Sequence, residues 1–195
     1  MPRPANGPPS RIEINPRPGI MGTMNEAAPL PLKTKTPRDS QVESRYIVMP
    51  QHANDVGFAF GGTIMSWIDM VAAMVAQKHC EREVVTASSD RISFLQPIRI
   101  GDQVVLRASV NYVGRTSLEV GVLVTRENPF RSESVRATTA YLTLVALDEK
   151  KQPVMIHRLR PETPDEIRRF NHARLRVEAR RELHQKISQS GPAAG

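Results

Sequence analysis

Residues 61–79 read GGTIMSWIDMVAAMVAQKH, and between Ile64 and Ala76 only Ser66 and Asp69 are polar. The spacing predicts a helix that opens at Gly61–Gly62 and runs to about His79. A helix apolar nearly all round is a buried helix. The apolar run is too short to cross a membrane, and it contains an acid. At about 100° per residue, Gly62, Met65, Ser66, Ala72, Ala73 and Ala76 fall within about 60° of Asp69. Ile64, Trp67, Val71 and Met74 fall on the far side. Asp69 therefore faces small residues, which admit another backbone or a ligand closely. Burying an unpaired carboxylate costs several kcal/mol or raises its pKa. Such an acid needs either a structural partner in the core or a chemical task, and this helix alone leaves both open.

Around this helix the periodicity changes to two. Residues 44–49 (SRYIVM) read as a short strand, and 50–60 (PQHANDVGFAF) as a loop. Residues 83–94 alternate loosely, predicting a strand that ends before Pro97, and Gly101–Asp102 marks a turn. Val104, Leu106, Ala108, Val110 and Tyr112 then share one face, opposite Arg107, Ser109 and Asn111. Leu118, Val120, Val122 and Val124 do the same, and a third long strand covers about 134–147. Gly114 and Asn128–Pro129 separate the three. Such alternation predicts antiparallel strands with one buried face. One apolar helix against one antiparallel sheet is an α+β layer arrangement. That helix is apolar on more sides than one small sheet can cover, which predicts at least a homodimer.

The flanks differ from this middle. Nine of the 16 prolines lie in the first 37 residues, a composition that sustains neither helix nor inner strand. Residues 1–40 read as a disordered Pro-rich leader whose deletion leaves the fold intact, 41–156 as the folded domain, and 157–195 as a basic C-terminal helix and tail. That helix starts at Thr163-Pro164-Asp165-Glu166, with a cap, a first-turn proline and early acids. It lacks a wide apolar stripe, so it is expected to be solvated and docked at a few points. The net charge of +7 belongs to these flanks: residues 41–156 hold 12 basic and 12 acidic side chains. A nucleic-acid partner is therefore disfavoured. The chain's one cysteine, Cys80, excludes an internal disulfide and a multi-cysteine zinc site, and implies a reducing, cytoplasmic compartment. No signal peptide or membrane span is legible.

Two further features stand near Asp69. The first amides of a helix that opens on Gly61–Gly62 have no intrahelical acceptor and sit at the positive end of the dipole. They form either an oxyanion site or a plain loop-to-helix turn. Asn54 supplies an amide donor or an Asx turn.

Taken together, Asn54-Asp55-Val56-Gly57-Phe58-Ala59-Phe60-Gly61-Gly62, Met65-Ser66-Trp67-Ile68-Asp69, the stretch from Val85 to Asp102 (VTASSDRISFLQPIRIGD) and Gly114-Arg115-Thr116-Ser117-Leu118-Glu119-Val120 resemble the hotdog-fold acyl-CoA thioesterases of the YciA and mammalian cytosolic acyl-CoA hydrolase type. The resemblance spans roughly residues 42–156. It implies a long helix wrapped by an antiparallel sheet, dimers that pair through their sheets, commonly a trimer of dimers, and active sites at the dimer interface. It also implies hydrolysis of fatty acyl-CoA. Asp69 would be base or nucleophile, Asn54 from the other protomer would orient carbonyl or water, and the Gly62 amide would stabilise the oxyanion. Coenzyme A would arrive as part of the substrate, with no cofactor or metal required. Gly61, Arg115, Thr116 and Ser117 are the candidate substrate-binding residues, with Arg136 behind them. For Arg115 a solvated turn, and for Arg136 a solvated strand position, are the alternative readings. Asp90 and Arg91 read as a structural pair. Some relatives carry His where Phe60 stands, and many are tandem copies where this chain has one.

Three rivals follow. A hotdog domain can bind acyl-CoA without hydrolysing it. A dehydratase or hydratase would need a catalytic His, and none lies within 54–69. A nucleic-acid binder would use the basic tail and show strong salt dependence.

Overall fold

Alternate residues of the three longest strands are apolar, and those residues line one side of a curled sheet that holds the apolar helix. A computed structural model describes residues 31–128 and 130–189. Its elements are β1 (Thr34–Lys35), α1 (Pro37–Ser40), β2 (Val42–Ile47), a 3-10 turn (Pro50–His52), α2 (Gly61–Cys80), β3 (Glu83–Ser89), β4 (Gln103–Val113), β5 (Ser117–Asn128), β6 (Glu133–Leu147), β7 (Arg158–Leu159) and α3 (Pro164–Gln189). Five strands form an antiparallel sheet in the order β2-β4-β5-β6-β3. β3 is therefore an edge strand, and most of its residues are exposed.

The core lies between α2 and the inner face. Ile64, Ile68, Val71, Ala72, Val75 and Ala76 pack against Leu106, Val110, Leu118, Val120, Val122, Leu142 and Leu144. Trp67 stacks on Tyr46 of β2 at 4.4 Å between ring centroids, and His52 meets Trp67 edge-on at 5.1 Å. These aromatic contacts tie the loop before α2 to the helix itself. Among the described residues no helix is long and apolar enough to cross a membrane.

Four expectations need correction. Asp69 and Met74 are exposed, because the sheet covers only one side of α2 and the outward side carries Asp69, Met70 and Met74. β3 ends at Ser89 rather than near Phe94. Beyond it the chain touches β6 through single bonds, from the Asp90 amide to the Tyr141 carbonyl and from the Leu95 amide to the Ala137 carbonyl. The Asp90 side chain turns to Arg180 of α3 (2.6 Å), not to Arg91.

Finally, residues 34–40 are not leader. Thr34–Lys35 pairs in parallel with β7. Lys35 Nζ donates to the carbonyls of Lys78 (2.9 Å) and His79 (3.0 Å), the open C-terminal end of α2. Glu81, in the left-handed C-cap position at φ 54°, pairs with both Lys33 and Lys35. These lysines hold its carboxyl down at about 2. A charge pattern that reads as solvated in isolation is here the cap of the central helix. Residues 1–30 lie outside the described residues, as does Pro129 of the expected β5–β6 turn.

The C-terminal helix crosses the outer face of the sheet. Its start is a reciprocal cap: the Glu166 amide donates to Thr163 Oγ1, and Glu166 Oε2 accepts from the Glu162 and Thr163 amides. Docking is ionic at its centre. Glu119, 1% exposed, accepts from Arg176 Nη2 (2.6 Å) and Arg180 Nη2 (3.0 Å). The Arg176 guanidinium lies over the Tyr141 ring at 3.6 Å, and Phe170 packs on Tyr112. The helix is docked at a few points, through arginines rather than an apolar stripe.

Candidate active site

Asp69 lies on the outward side of α2, over the edge strand. Thr86 of β3 donates its hydroxyl to Asp69 Oδ1 at 2.7 Å. This hydrogen bond fixes the orientation of the carboxylate and leaves its other oxygen to face whatever approaches. Both residues are exposed in the single chain. Sequence reasoning missed Thr86. Its only signal was a hydroxyl in the strand after the helix, and the strand's register alone brings position 86 beneath position 69.

The start of α2 supplies the electropositive part. The amides of Thr63 and Ile64 both donate to the Phe60 carbonyl, at 2.9 and 3.3 Å. Those of Gly61 and Gly62 precede any intrahelical acceptor. Aromatic rings crowd this corner. A Cβ on Gly62 would sit 2.6 Å from Phe60 Cε1, and one on Gly61 would rest 3.5 Å from Phe94 Cε2. A side chain at 62 would have to displace the exposed Phe60 ring that lies over this backbone.

Asn54 takes the Asx-turn geometry. Its Oδ1 accepts from the Val56 amide (3.1 Å) and the Phe58 amide (3.0 Å). Because the carbonyl end is used within the loop, the residue is held with its NH2 group as the remaining donor. The turn and the donor readings are therefore compatible. One chain brings Asp69 to Thr86, while Asn54 makes its hydrogen bonds in its own loop.

Arg115 and Thr116 form the tip of the tight β4–β5 turn, closed by the Gly114 amide on the Ser117 carbonyl at 2.7 Å. The ladder places this turn near Thr86: Thr86 pairs with Leu144, and Leu144 with Leu118. Two strand spacings, about 10 Å, separate them across the sheet. Arg136 is elsewhere. It lies eight residues along β6 from Leu144, about 26 Å away at strand rise. A register shift between Val124 and Thr125 also turns it to the outer face, where it lines a cavity with Arg107 and Tyr141. The expectation that it backs Arg115 is corrected by that distance along β6, and the bulge fixes the face it lies on.

Known proteins are similar to this chain in sequence and fold. The family profile described as "Thioesterase superfamily" matches residues 56–130. A Bacillus subtilis protein named uncharacterized acyl-CoA thioester hydrolase YkhA is 41% identical over 149 residues, covering 76% of this chain and 87% of the relative. An acyl-CoA hydrolase from Staphylococcus aureus, solved with butyryl coenzyme A, coenzyme A and coenzyme A disulfide, superimposes with a TM-score of 0.75 at 36% identity, covering 80% of this chain and 96% of that one. It was also solved as single alanine mutants of an asparagine, an aspartate and a threonine, spaced at intervals of 15 and 17 residues. The same intervals separate Asn54, Asp69 and Thr86. A hexameric acyl-CoA thioesterase matches with a TM-score of 0.76 at 34% identity, covering 78% of this chain and 98% of that one. The expected α+β hotdog fold is the fold these neighbours share, and the chain belongs to the acyl-CoA thioester hydrolases of the Thioesterase superfamily.

Proposed function

We propose that the chain hydrolyses fatty acyl-CoA to free acid and coenzyme A, with Asp69 as base or nucleophile. The observation that carries this reading is the Thr86–Asp69 hydrogen bond, on the helix whose first turn carries the open glycine amides. As base, Asp69 takes a proton from water while the water oxygen adds to the thioester carbonyl. The oxyanion that forms is stabilised by the Gly62 amide and the positive end of α2. On collapse the carbon–sulfur bond breaks, and the coenzyme A thiolate leaves and takes up the proton. Asn54, from a second copy, donates to the carbonyl or to the water. Gly61 and the Arg115-Thr116-Ser117 turn hold the substrate, the arginine serving a phosphate of coenzyme A.

Exposed apolar side chains support a second copy here. Phe60, Met70, Met74, Phe94 and Leu95 are all at least 41% exposed around the start and outer side of α2. Large apolar side chains exposed together on a single chain favour association. The reading is a homodimer that builds two sites from two chains, assembled further into a trimer of dimers. A single buried thiol fits a reducing cytoplasm.

The test is a thiol-release assay across acyl-CoA chain lengths, with circular dichroism on the same samples. Asp69→Asn abolishes most turnover while acyl-CoA still binds. Asn54→Ala lowers turnover by on the order of 10²–10³. Mixing the two inactive variants restores partial activity, since a mixed dimer rebuilds one intact site. Folded Asp69→Asn with normal turnover overturns the assignment. Binding without turnover in the wild type leaves a non-catalytic acyl-CoA-binding module.

A further inference from the structure

Between Ile64 and Ala76 only Ser66 and Asp69 are polar, and the proposed hydrolysis engages only Asp69. Ser66 is exposed on α2, and its hydroxyl has no hydrogen-bond partner among the described residues. At about 100° per residue it stands about 40° from Gly62 and about 60° from Asp69, so the three share the outward face of the helix. At about 1.5 Å rise per residue it lies about 6 Å past Gly62 and about 4.5 Å before Asp69. Helix formation does not explain a serine here. Alanine is the better helix former, and residues 71–76 (VAAMVA) use it freely.

The chemistry of the face gives position 66 a task. Gly62 and Asp69 are about 10.5 Å apart along the axis. The Asp69 side chain leans back toward the helix start, as helical Cα–Cβ bonds do. The reacting atoms bridge what remains: an oxyanion at the Gly62 amide, then the carbonyl carbon, then the attacking water against Asp69. The carbon and the water therefore lie over residue 66. Thr86 occupies one oxygen of Asp69 at 2.7 Å and leaves the other for one hydrogen of that water. A single contact leaves the water free to rotate. A hydroxyl one turn back, about 5–6 Å from Asp69 between Cβ atoms, is placed to accept the second hydrogen. Two contacts aim the lone pair of the water at the carbonyl carbon.

We propose that Ser66 is a further catalytic residue whose Oγ holds the attacking water; the assignment rests on the reading of Asp69 as base in acyl-CoA hydrolysis. The water gives one proton to Asp69. Its other hydrogen, bonded to Ser66 Oγ, stays on the oxygen that adds to the carbonyl carbon and becomes the hydroxyl of the product acid. Ser66 itself forms no bond to the acyl group.

The test is initial-rate thiol release from acyl-CoA by the full chain, with wild type, Ser66→Ala, Ser66→Thr and Asp69→Asn side by side and a thermal melt of each sample. Ser66→Ala lowers kcat by about tenfold, as expected for one lost neutral hydrogen bond. KM stays within about twofold, because the contact is made to the water and not to the substrate. The alanine variant melts no lower than wild type, since it is the better helix former. Ser66→Thr keeps a hydroxyl at an exposed position and recovers most of the turnover. A Ser66→Ala kcat within about twofold of wild type overturns the assignment. So does a loss carried by KM, a loss that accompanies a lower melt, or one that threonine fails to recover. In each of these cases, turnover that still requires Asp69 leaves the hydrolytic reading standing. A wild type without turnover, or turnover undiminished in Asp69→Asn, overturns both.

Discussion

Replacing Thr86 by valine isolates the hydrogen bond that β3 gives to the Asp69 carboxylate. Valine keeps the β-branched shape and suits a strand, so β3 keeps its pairing with β6. What disappears is a hydroxyl that donates at 2.7 Å to a carboxylate oxygen. A hydrogen bond to a charged group is worth about 1.5–3 kcal/mol. At about 1.4 kcal/mol per decade, that predicts a 10- to 150-fold loss of kcat/KM if the bond orients the carboxylate in the transition state. Stability should change little, because both residues are exposed in the single chain. The assay is initial-rate thiol release at several substrate concentrations, with a thermal melt of the same sample. Thr86→Ser, which restores a hydroxyl, should recover most of the rate. A folded Thr86→Val with kcat/KM within twofold of wild type refutes the reasoning. So does a rate loss that serine fails to rescue.

Glu119→Gln removes the charge that Arg176 and Arg180 share, and both arginines are partly exposed. The cost is about 2–3 kcal/mol rather than the full penalty of a buried broken pair, lowering the melting temperature by about 5–10 °C. Hydrogen exchange should rise along α3, and an unchanged melt with protected α3 amides counts against ionic docking. A chain that begins at Gln41 loses the Lys35 cap and the β1–β7 ladder, so it should melt about 5 °C or more below one that begins at Leu32. Equal melts would return residues 32–40 to the leader. Burial pushes the Cys80 thiol from 9.0 up to about 12. Native protein at pH 8 should therefore resist a thiol reagent that reacts fully in denaturant. The folded state holds its proton while the unfolded thiol ionises, so this contribution to stability is complete below pH 9 and is lost as pH rises toward 12. Stability that climbs over that window would contradict the burial.

Local order along the chain was enough to name the central helix, the long antiparallel strands and part of the candidate site. Period-two alternation named the inward faces of β5 and of β4 as far as Val110, because side chains on a pleated strand alternate; the bulge after Val110 turns Tyr112, which the alternation placed inward, out onto Phe170 of α3. The apolar run in α2 identified the central helix. The intervals between Asn54, Gly61–Gly62 and Asp69 were legible because they are properties of one contiguous segment. Everything that depended on distant segments meeting was decided by the tertiary structure. Asp69 looked buried until the sheet was seen to cover only one side of its helix. Its partner Thr86 lies 17 residues on and reaches it only through the register of an edge strand. Arg136 shares the parity of inward residues, and one bulge turns it outward. The arginines of α3 looked solvated, yet Arg176 and Arg180 find Glu119 and Asp90 at separations of 57 and 90 residues. Lys35 sits in a proline-rich stretch and still caps the central helix 43 residues away. Periodicity is written by neighbours along the chain, whereas the partner of a charge is chosen by packing, and no local pattern encodes that choice.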